Sequence, residues 1–376
     1  MVYFIVHYSE IGIKKGNRAF FENLLTGSIR KRLKKGVVAR KYGYILVESE
    51  DKEKTVKELE KVPGIAYFIL CEKAKLDAED VEKKAVKLLK KKDFKTFRVS
   101  ARRQNKNFQL TSVQLNERVG ARIVEELEKK VKLTEPDVNL IIEVVEKNVF
   151  LSTERFEGVG GLPTDPQKKV VCLLSGGFDS PVASYLMIKR GAKAVLVHFQ
   201  NYKLMKGSIQ DKVEKLGRIL SGFQGKTRLY VVPFEKVQED IIRKGPANVR
   251  MLAYRRVMLK ISEEIMRKEK AKALVTGDNL SQVSSQTLEN LRAVYDATKE
   301  LVLSPLIGFN KEEIINLSKK IGAFDVSKLP YGDCCSFFLP EHPELRSSAE
   351  DLRKIEETLD KDLWVSALKS SKVYSL

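Results

Sequence analysis

The chain has little cysteine and no long apolar run, and both absences narrow what it can be. Four cysteines in 376 residues are too few for a disulfide scaffold. No C-x-x-C pair occurs, which argues against a zinc ribbon. No window approaches the ~18 unbroken apolar residues of a membrane helix, so no membrane partner is expected. The opening residues, MVYFIVHYSEIGIKKGN, lack a basic n-region and a small-residue cleavage site. They predict a first strand, and the expected location is cytoplasmic. Low-complexity tracts and short repeats are missing too. Two catalytic signatures are also absent: the G-x-x-x-x-G-K-[ST] phosphate loop and the G-x-S-x-G nucleophile elbow.

Negative charge is in short supply. There are 69 Lys and Arg against 50 Asp and Glu, for a formal charge of +19 and a pI near 9.5. A heat-adapted surface explains many charges of both signs but not the imbalance. The excess favours a polyanionic partner, nucleic acid above all. It is densest between residues 84 and 106, where ten cations face one acid, Asp93. Lys90, Lys92, Arg98, Arg102, Arg103 and Lys106 are the candidate RNA contacts there. Phe94, Phe97 and Phe108 interleave with them, a mixture that suits backbone contact plus base stacking, although Phe97 has a core strand context. The bland reading of such a run is a solvated face. Residues 14–41 show a similar excess.

With 43% hydrophobic residues the chain can bury real cores, and its length suggests two or three domains. Residues 2–8, 37–47 and 65–71 read as strands and 17–35 and 52–61 as helices. That βαββαβ order predicts a ferredoxin-like domain over 1–71. A second α+β unit follows, over 72–165, with helices at 80–92 and 111–127, a strand at 96–101 and a hairpin at 138–153. The Gly- and Pro-rich stretch 156–167 reads as a boundary. From 166 to 376 strands alternate with helices: 170–174, 194–199, 227–232, 273–276 and 301–303 are strands. This pattern predicts a doubly wound parallel sheet with its ligand at the strand carboxyl ends.

The first of these strands runs into LLSGGFDSPVAS. Two glycines let backbone N–H groups converge, and the following helix points its positive end at the same place. Ser175, Gly176, Gly177, Asp179 and Ser180 thus form a candidate anion loop, although a bare S-G-G with a helix-capping Asp179 would look similar. His198 and Phe199 end the next strand; the plain alternative for His198 is a satisfied strand-end histidine. Arg255 and Arg256 sit on one helix and suit phosphate contact, the plain alternative being a solvated helix face. Gly277 in TGDN permits close backbone approach, and Gln286 could read the adenine or ribose. Lys311 opens a helix against the dipole, which suggests a task in neutralising phosphate charge rather than a solvent-exposed position.

The string SGGFDS resembles the pyrophosphatase loop of the ATP-pyrophosphatase superfamily, enzymes that cleave ATP between its α and β phosphates. SGGFDSPVAS, TGDNLSQVSSQTLENL, SPLIGFNKEEII and LPYGDCCSFF resemble, in order, the tRNA 4-thiouridine synthetases. FKTFRVSARRQNKNFQLTSVQLNERVGARI is similar to a THUMP domain, an RNA-binding module whose profile could begin near residue 52. The fold implied is multidomain α/β: a ferredoxin-like domain, a THUMP domain and an ATP-pyrophosphatase (adenine nucleotide α-hydrolase-like) domain. The resemblance implies ATP and Mg²⁺, with Asp179 positioning the metal or stabilising transfer. It also implies that Leu173, Leu174, His198 and Phe199 line the nucleotide site, and that of the two arginines Arg255 is the one at phosphate. Aligned from Lys311 onward, the motif places the sulfur-carrying cysteine at Cys334, with Cys335 one step away and still open. A buried cysteine pair is the bland alternative, and an iron–sulfur ligand would need more cysteines than the region offers. Cys71 and Cys172 lie in apolar runs and read as core.

The product implied is 4-thiouridine in tRNA, at position 8 as in the family, made by a homodimer. The short form of the family is expected, without the C-terminal rhodanese domain to which a role in thiamine thiazole synthesis is tied. Sulfur would then arrive in trans from a cysteine desulfurase, a persulfide carrier or inorganic sulfide. Rival readings are an ATP-pyrophosphatase ligase or amidotransferase acting on a small metabolite, a THUMP-bearing methyltransferase, and a non-catalytic tRNA-binding protein. Against the methyltransferase, the chain lacks a glycine-rich methyl-donor loop after its first parallel strand.

Overall fold

Alternation in the first strand already divides the amino-terminal half into two cores. In β1 (Val2–His7), Phe4 and Val6 point to one face of a sheet and Ile5 to the other. A computed structural model describes residues 1–201, 209–330 and 343–376. The chain forms two compact units, Met1–Leu162 and Pro163–Leu376. No helix among the described residues is long and apolar enough to cross a membrane.

The first unit continues with α1 (Arg18–Leu33), β2 (Val37–Lys41), β3 (Tyr44–Ser49), α2 (Lys52–Leu59) and β4 (Tyr67–Ala74). It then runs through α3 (Ala78–Leu89), β5 (Thr96–Arg103), α4 (Ser112–Leu127), β6 (Lys130–Val131), β7 (Val138–Val145) and β8 (Asn148–Glu157). Helix α1 buries Phe21, Leu25, Ile29 and Leu33, one residue per turn. Helix α4 starts at a capping box made by Thr111 and Gln114.

The strand order is β2-β3-β1-β4-β8-β7-β5-β6, one sheet of eight strands. Its first four strands are the ferredoxin-like arrangement expected. The boundary expected between residues 71 and 72 falls inside β4, because β4 pairs with β1 on one edge and β8 on the other. A register shift between Leu70 and Glu72 lets it serve both. Flat, β3 and β5 would stand about 24 Å apart, five strand spacings. Instead Gln104 Nε2, beyond the end of β5, donates to the Tyr42 carbonyl in the β2–β3 turn at 2.8 Å. The sheet is therefore curled, and Ile5, Ile69 and Phe150 are fully buried in its hollow. Phe94, Phe97 and Phe108 are all buried between α3, α4 and the sheet. The expectation that aromatics of this run stack on bases is corrected: they are core, which is why they alternate with the exposed cations.

The second unit contains β9 (Lys169–Leu173), α5 (Asp179–Lys189), β10 (Lys193–Gln200), α6 (Ile209–Gln224), β11 (Arg228–Pro233), α7 (Glu235–Lys244) and α8 (Arg250–Glu269). It continues through β12 (Leu274–Val275), α9 (Leu288–Tyr295), β13 (Val302–Leu303), α10 (Lys311–Lys320) and α11 (Phe324–Lys328). The end of the chain adds α12 (Ala349–Thr358), α13 (Lys361–Lys369) and β14 (Lys372–Ser375). The order is β13-β12-β9-β10-β11-β14, with the first five strands parallel. Strand β14 departs from the all-parallel expectation: it caps the edge antiparallel to β11. Its four residues are too short a run for periodicity to reveal. Val171, Val195 and Val197 pack toward α7, α8 and α9 on one face. Cys172 faces α5 on the other, where burial pushes its thiol up to about 12 against a hydrogen bond from Ser184. Burial raises Cys71 as well, so both stay thiols and suit the core role expected of them.

The chain leaves β9 toward β10 on one side and returns to β12 on the other. That reversal opens a crevice at the carboxyl ends of β9 and β12.

Candidate nucleotide site

The SGGFDS loop spans the crevice's mouth. Ser180 Oγ accepts from the Ser175 backbone N–H at 2.8 Å and lies 3.0 Å from Ser175 Oγ. Ser175 Oγ in turn accepts from the Gly177 N–H at 3.3 Å. These bonds fold the turn tightly, so that it opens directly into α5 at Asp179. The Gly277 backbone crosses the start of α5 so closely that a Cβ there would lie 2.9 Å from the Ser180 nitrogen. This is the close approach that only glycine allows.

Asp179 and Lys311 both stand in the first turns of helices, α5 and α10, and the two meet. Lys311 Nζ donates to Asp179 Oδ1 at 2.8 Å, and Gln282 Nε2 donates to Oδ2 at 3.1 Å. Two positive helix ends and an ammonium thus surround one carboxylate. Lysine at the start of α10 is explained by this partner across the crevice.

Behind the loop lies a cleft of about 250 Å³. Leu173, Leu174, Ser175, Asp179, Ser180, His198, Phe199, Arg255, Gly277 and Gln286 all line it. Ten of the residues expected at a nucleotide site are therefore brought together from five separate segments. Gly176 and Gly177 belong to the loop but not to the cleft wall. Cys334 and Cys335 lie outside the described residues. His198 is buried, and its Nδ1 donates to the Leu174 carbonyl at 2.8 Å.

The cleft's floor was not legible in the sequence. Asp278, nearly fully buried, accepts from Arg255 Nη2 at both carboxylate oxygens, each at 2.6 Å. Tyr295 Oη donates to it at 2.6 Å and Gln286 Nε2 at 3.2 Å. Burial alone would raise this carboxyl, but the Arg255 charge and hydrogen bonds from Tyr295, Thr276 and Gln286 hold it below its ordinary value. Burial, then the charge of Asp278, push Tyr295 up to about 12, so it remains a donor. Arg255 Nη1 also donates to the Ser285 carbonyl at 2.9 Å. The guanidinium expected to contact phosphate is thus committed to Asp278, because a carboxylate this buried must be paired. Its neighbour Arg256 turns the other way into a buried network with Asp296 and Glu356. The one available signal for Asp278 was its place beside Gly277 at a strand end; Gln282 and Tyr295 carried none. Gln286 Oε1 is buried without a hydrogen-bond partner among the described residues.

The cations of the first unit divide by role. Lys90, Arg102 and Lys106 are exposed, and Lys92 is half-buried. Arg98 Nη1 donates to the Leu133 carbonyl at 2.9 Å. Arg103 Nη1 donates to the carbonyls of Lys106 and Phe108, at 3.2 and 2.9 Å, and so staples its own loop.

An SGGFDS turn between strand and helix at the switch point of a doubly wound sheet, with no P-loop lysine in it, defines an ATP-pyrophosphatase-loop domain. Family comparison agrees and is more particular. The model for the thiamine biosynthesis protein ThiI matches residues 165–361, a THUMP domain matches 75–154, and the ThiI ferredoxin-like domain matches 3–68. A probable tRNA sulfurtransferase of Caldanaerobacter subterraneus is 40% identical over 95% of both chains. One from Thermus thermophilus is 37% identical over 97% of this chain and 92% of its own. A solved 4-thiouridine synthetase–RNA complex with bound ATP aligns over 100% of both chains, with 35% identity and a TM-score of 0.90. The chain belongs to the ThiI family of tRNA sulfurtransferases.

Proposed function

We propose that this protein uses ATP to replace O4 of a tRNA uridine with sulfur, giving 4-thiouridine. The observation that carries the reading is the meeting of Asp179 and Lys311 at two helix N-termini, beside a cleft lined by ten of the residues expected at a nucleotide site. It gains support from the match of the whole chain to a 4-thiouridine synthetase solved with RNA and ATP.

The nucleotide would sit with its base among Leu174, His198, Phe199 and Gln286. Gln286, which lines the cleft, would read the adenine or ribose. Backbone N–H groups of the loop and the start of α5 would take the phosphates. Uridine O4 attacks the α phosphorus, the α–β bridge breaks, and pyrophosphate leaves. Lys311 would neutralise charge that grows on the phosphates. Asp179 fits Mg²⁺, because that ion is held by one or two carboxylates plus substrate phosphates. Sulfide-level sulfur then bonds to C4 and the C4–O4 bond breaks, so AMP departs with O4. With a persulfide donor, two electrons from a thiol reductant release the delivered sulfur. Cys334, or Cys335 beside it, is the proposed carrier, its outer sulfur delivered in trans by a desulfurase or another persulfide carrier, whereas inorganic sulfide would attack C4 directly. The target is uridine 8, the working form a homodimer, and the location the cytoplasm.

The test supplies protein, ATP, Mg²⁺, tRNA and sulfide and looks for thiouridine by absorbance and mass. Thiouridine and AMP are expected; the absence of both sinks the proposal. A small metabolite that stimulated ATP–pyrophosphate exchange without tRNA would favour a ligase instead.

Lys90, Lys92, Arg98, Arg102, Arg103 and Lys106 are proposed as the RNA face, with direct contact from the exposed ones. Replacing Lys90, Lys92, Arg102 and Lys106 together with alanine is expected to weaken tRNA binding at every sequence. The slope of log affinity against log salt should become shallower by about 1 for each phosphate no longer neutralised. Filter binding across a salt series checks this, and an unchanged slope assigns the face to solvent. ATP turnover without RNA should not move.

A further inference from the structure

One chain of contacts in the 163–376 unit takes no part in the steps above. Lys212, on α6, is only 3% exposed. A buried ammonium costs several kcal/mol unless its donors are met. Its Nζ donates to the carbonyl of Ser327 at 2.9 Å and to that of Leu329 at 2.7 Å. Both carbonyls belong to the carboxyl end of α11, where acceptors are left over and the helix dipole is negative. Ser327 also reaches the opposite way. Its Oγ donates at 3.2 Å to the carbonyl of Gly177, in the phosphate loop. The rings of Phe324 and Phe178 make a second contact between α11 and that loop, 5.5 Å apart.

Helix α11 is thus a five-residue strut, braced on the phosphate loop and pinned by a lysine from α6. A helix end by itself is satisfied by a glycine turn or water. A buried cation makes charge-assisted bonds, roughly twice as strong as neutral ones, and ties the end to a fixed helix. Cys334 and Cys335 follow Leu329 by five and six residues in the sequence.

We infer that Lys212 and Ser327 are positioning residues for sulfur transfer. They hold the point from which the cysteine-bearing segment departs in register with the loop that binds the activated phosphate. Neither touches a reacting atom. The inference rests on the function proposed above, and its test separates the two.

Lys212→Met keeps the apolar stem and removes the ammonium. It is assayed with ATP, Mg²⁺, tRNA and two sulfur sources. Inorganic sulfide attacks the activated C4 directly and needs no cysteine. A desulfurase-generated persulfide, with a thiol reductant, needs the cysteine segment. Thiouridine from persulfide is expected to fall about 10- to 100-fold, the effect of misplacing a reacting group by about 1 Å. Thiouridine from sulfide stays near wild type, which also shows that the variant is folded. Equal losses with both donors, or no loss with either, overturn the inference. Should Lys212→Met fail to fold, Ser327→Ala cuts only the link to Gly177. Its persulfide-to-sulfide product ratio is expected to drop, and an unchanged ratio overturns the inference as well. Wild-type protein making thiouridine from neither donor would instead count against the proposed function.

Discussion

Asp179→Ala is expected to lower tRNA-dependent pyrophosphate release by on the order of 10²–10³-fold, the usual loss when one preorganised charge at a transition state is removed. The fold should survive. The Asp179–Lys311 pair is partly exposed, at 24% and 46% of the side chains, and pairs of that kind contribute only ~0–1 kcal/mol. Loss of activity without loss of melting temperature therefore locates the role in the chemistry. Lys311→Met should behave alike, and the double variant should be scarcely worse than either single one, because the two groups act as a unit. Pyrophosphate release near the wild-type rate in Asp179→Ala would show that the carboxylate only caps α5.

Arg255→Met should have its largest effect on stability. It leaves Asp278 buried without its cation, and breaking a buried pair from one side costs about 3–5 kcal/mol. Adding Asp278→Asn should recover most of that loss. The single tryptophan, Trp364, packs against the core of the same unit, so its fluorescence in a urea titration follows the right transition. The pH dependence has a definite sign. In the wild type Asp278 titrates below its ordinary value. Its contribution is complete above the unfolded carboxyl pKa of about 3.9 and is lost as pH falls through the lower folded value. In Arg255→Met burial is unopposed by that charge, and the carboxyl takes up a proton at higher pH. A neutral Asp278 needs no cation, so the stability gap between variant and wild type narrows as pH drops from neutral toward acid. A gap that widened would mean that Asp278 is not the group left unpaired.

Legibility in the sequence followed distance along the chain. The SGGFDS loop could be read as a strand–turn–helix joint because a strand, two glycines and a helix start lie within one short string, and their geometry is local. The helices at 17–35 and 111–127 were readable for the same reason, since a repeat every 3.6 residues is a local property. The segment near Phe94, Phe97 and Phe108 shows where this fails: burial depends on what packs above, and the helices α3 and α4 cover all three rings. Arg255 was expected at phosphate, and the structure shows it lining the cleft and bound to Asp278, a partner that could not be read because it lies 23 positions away on another element.

By itself the sequence determined the strand–turn–helix of SGGFDS, the basic character of the first half and the alternation that builds a parallel sheet. Each depends on residue type and near neighbours alone. Only the tertiary structure decided that Lys311 answers Asp179 across 132 positions, that Asp278 holds Arg255, and that β4 joins two α+β halves into one sheet. Those pairings are made by strand order at the switch point and by burial, which leaves a charge no choice but the partner that the fold brings to it.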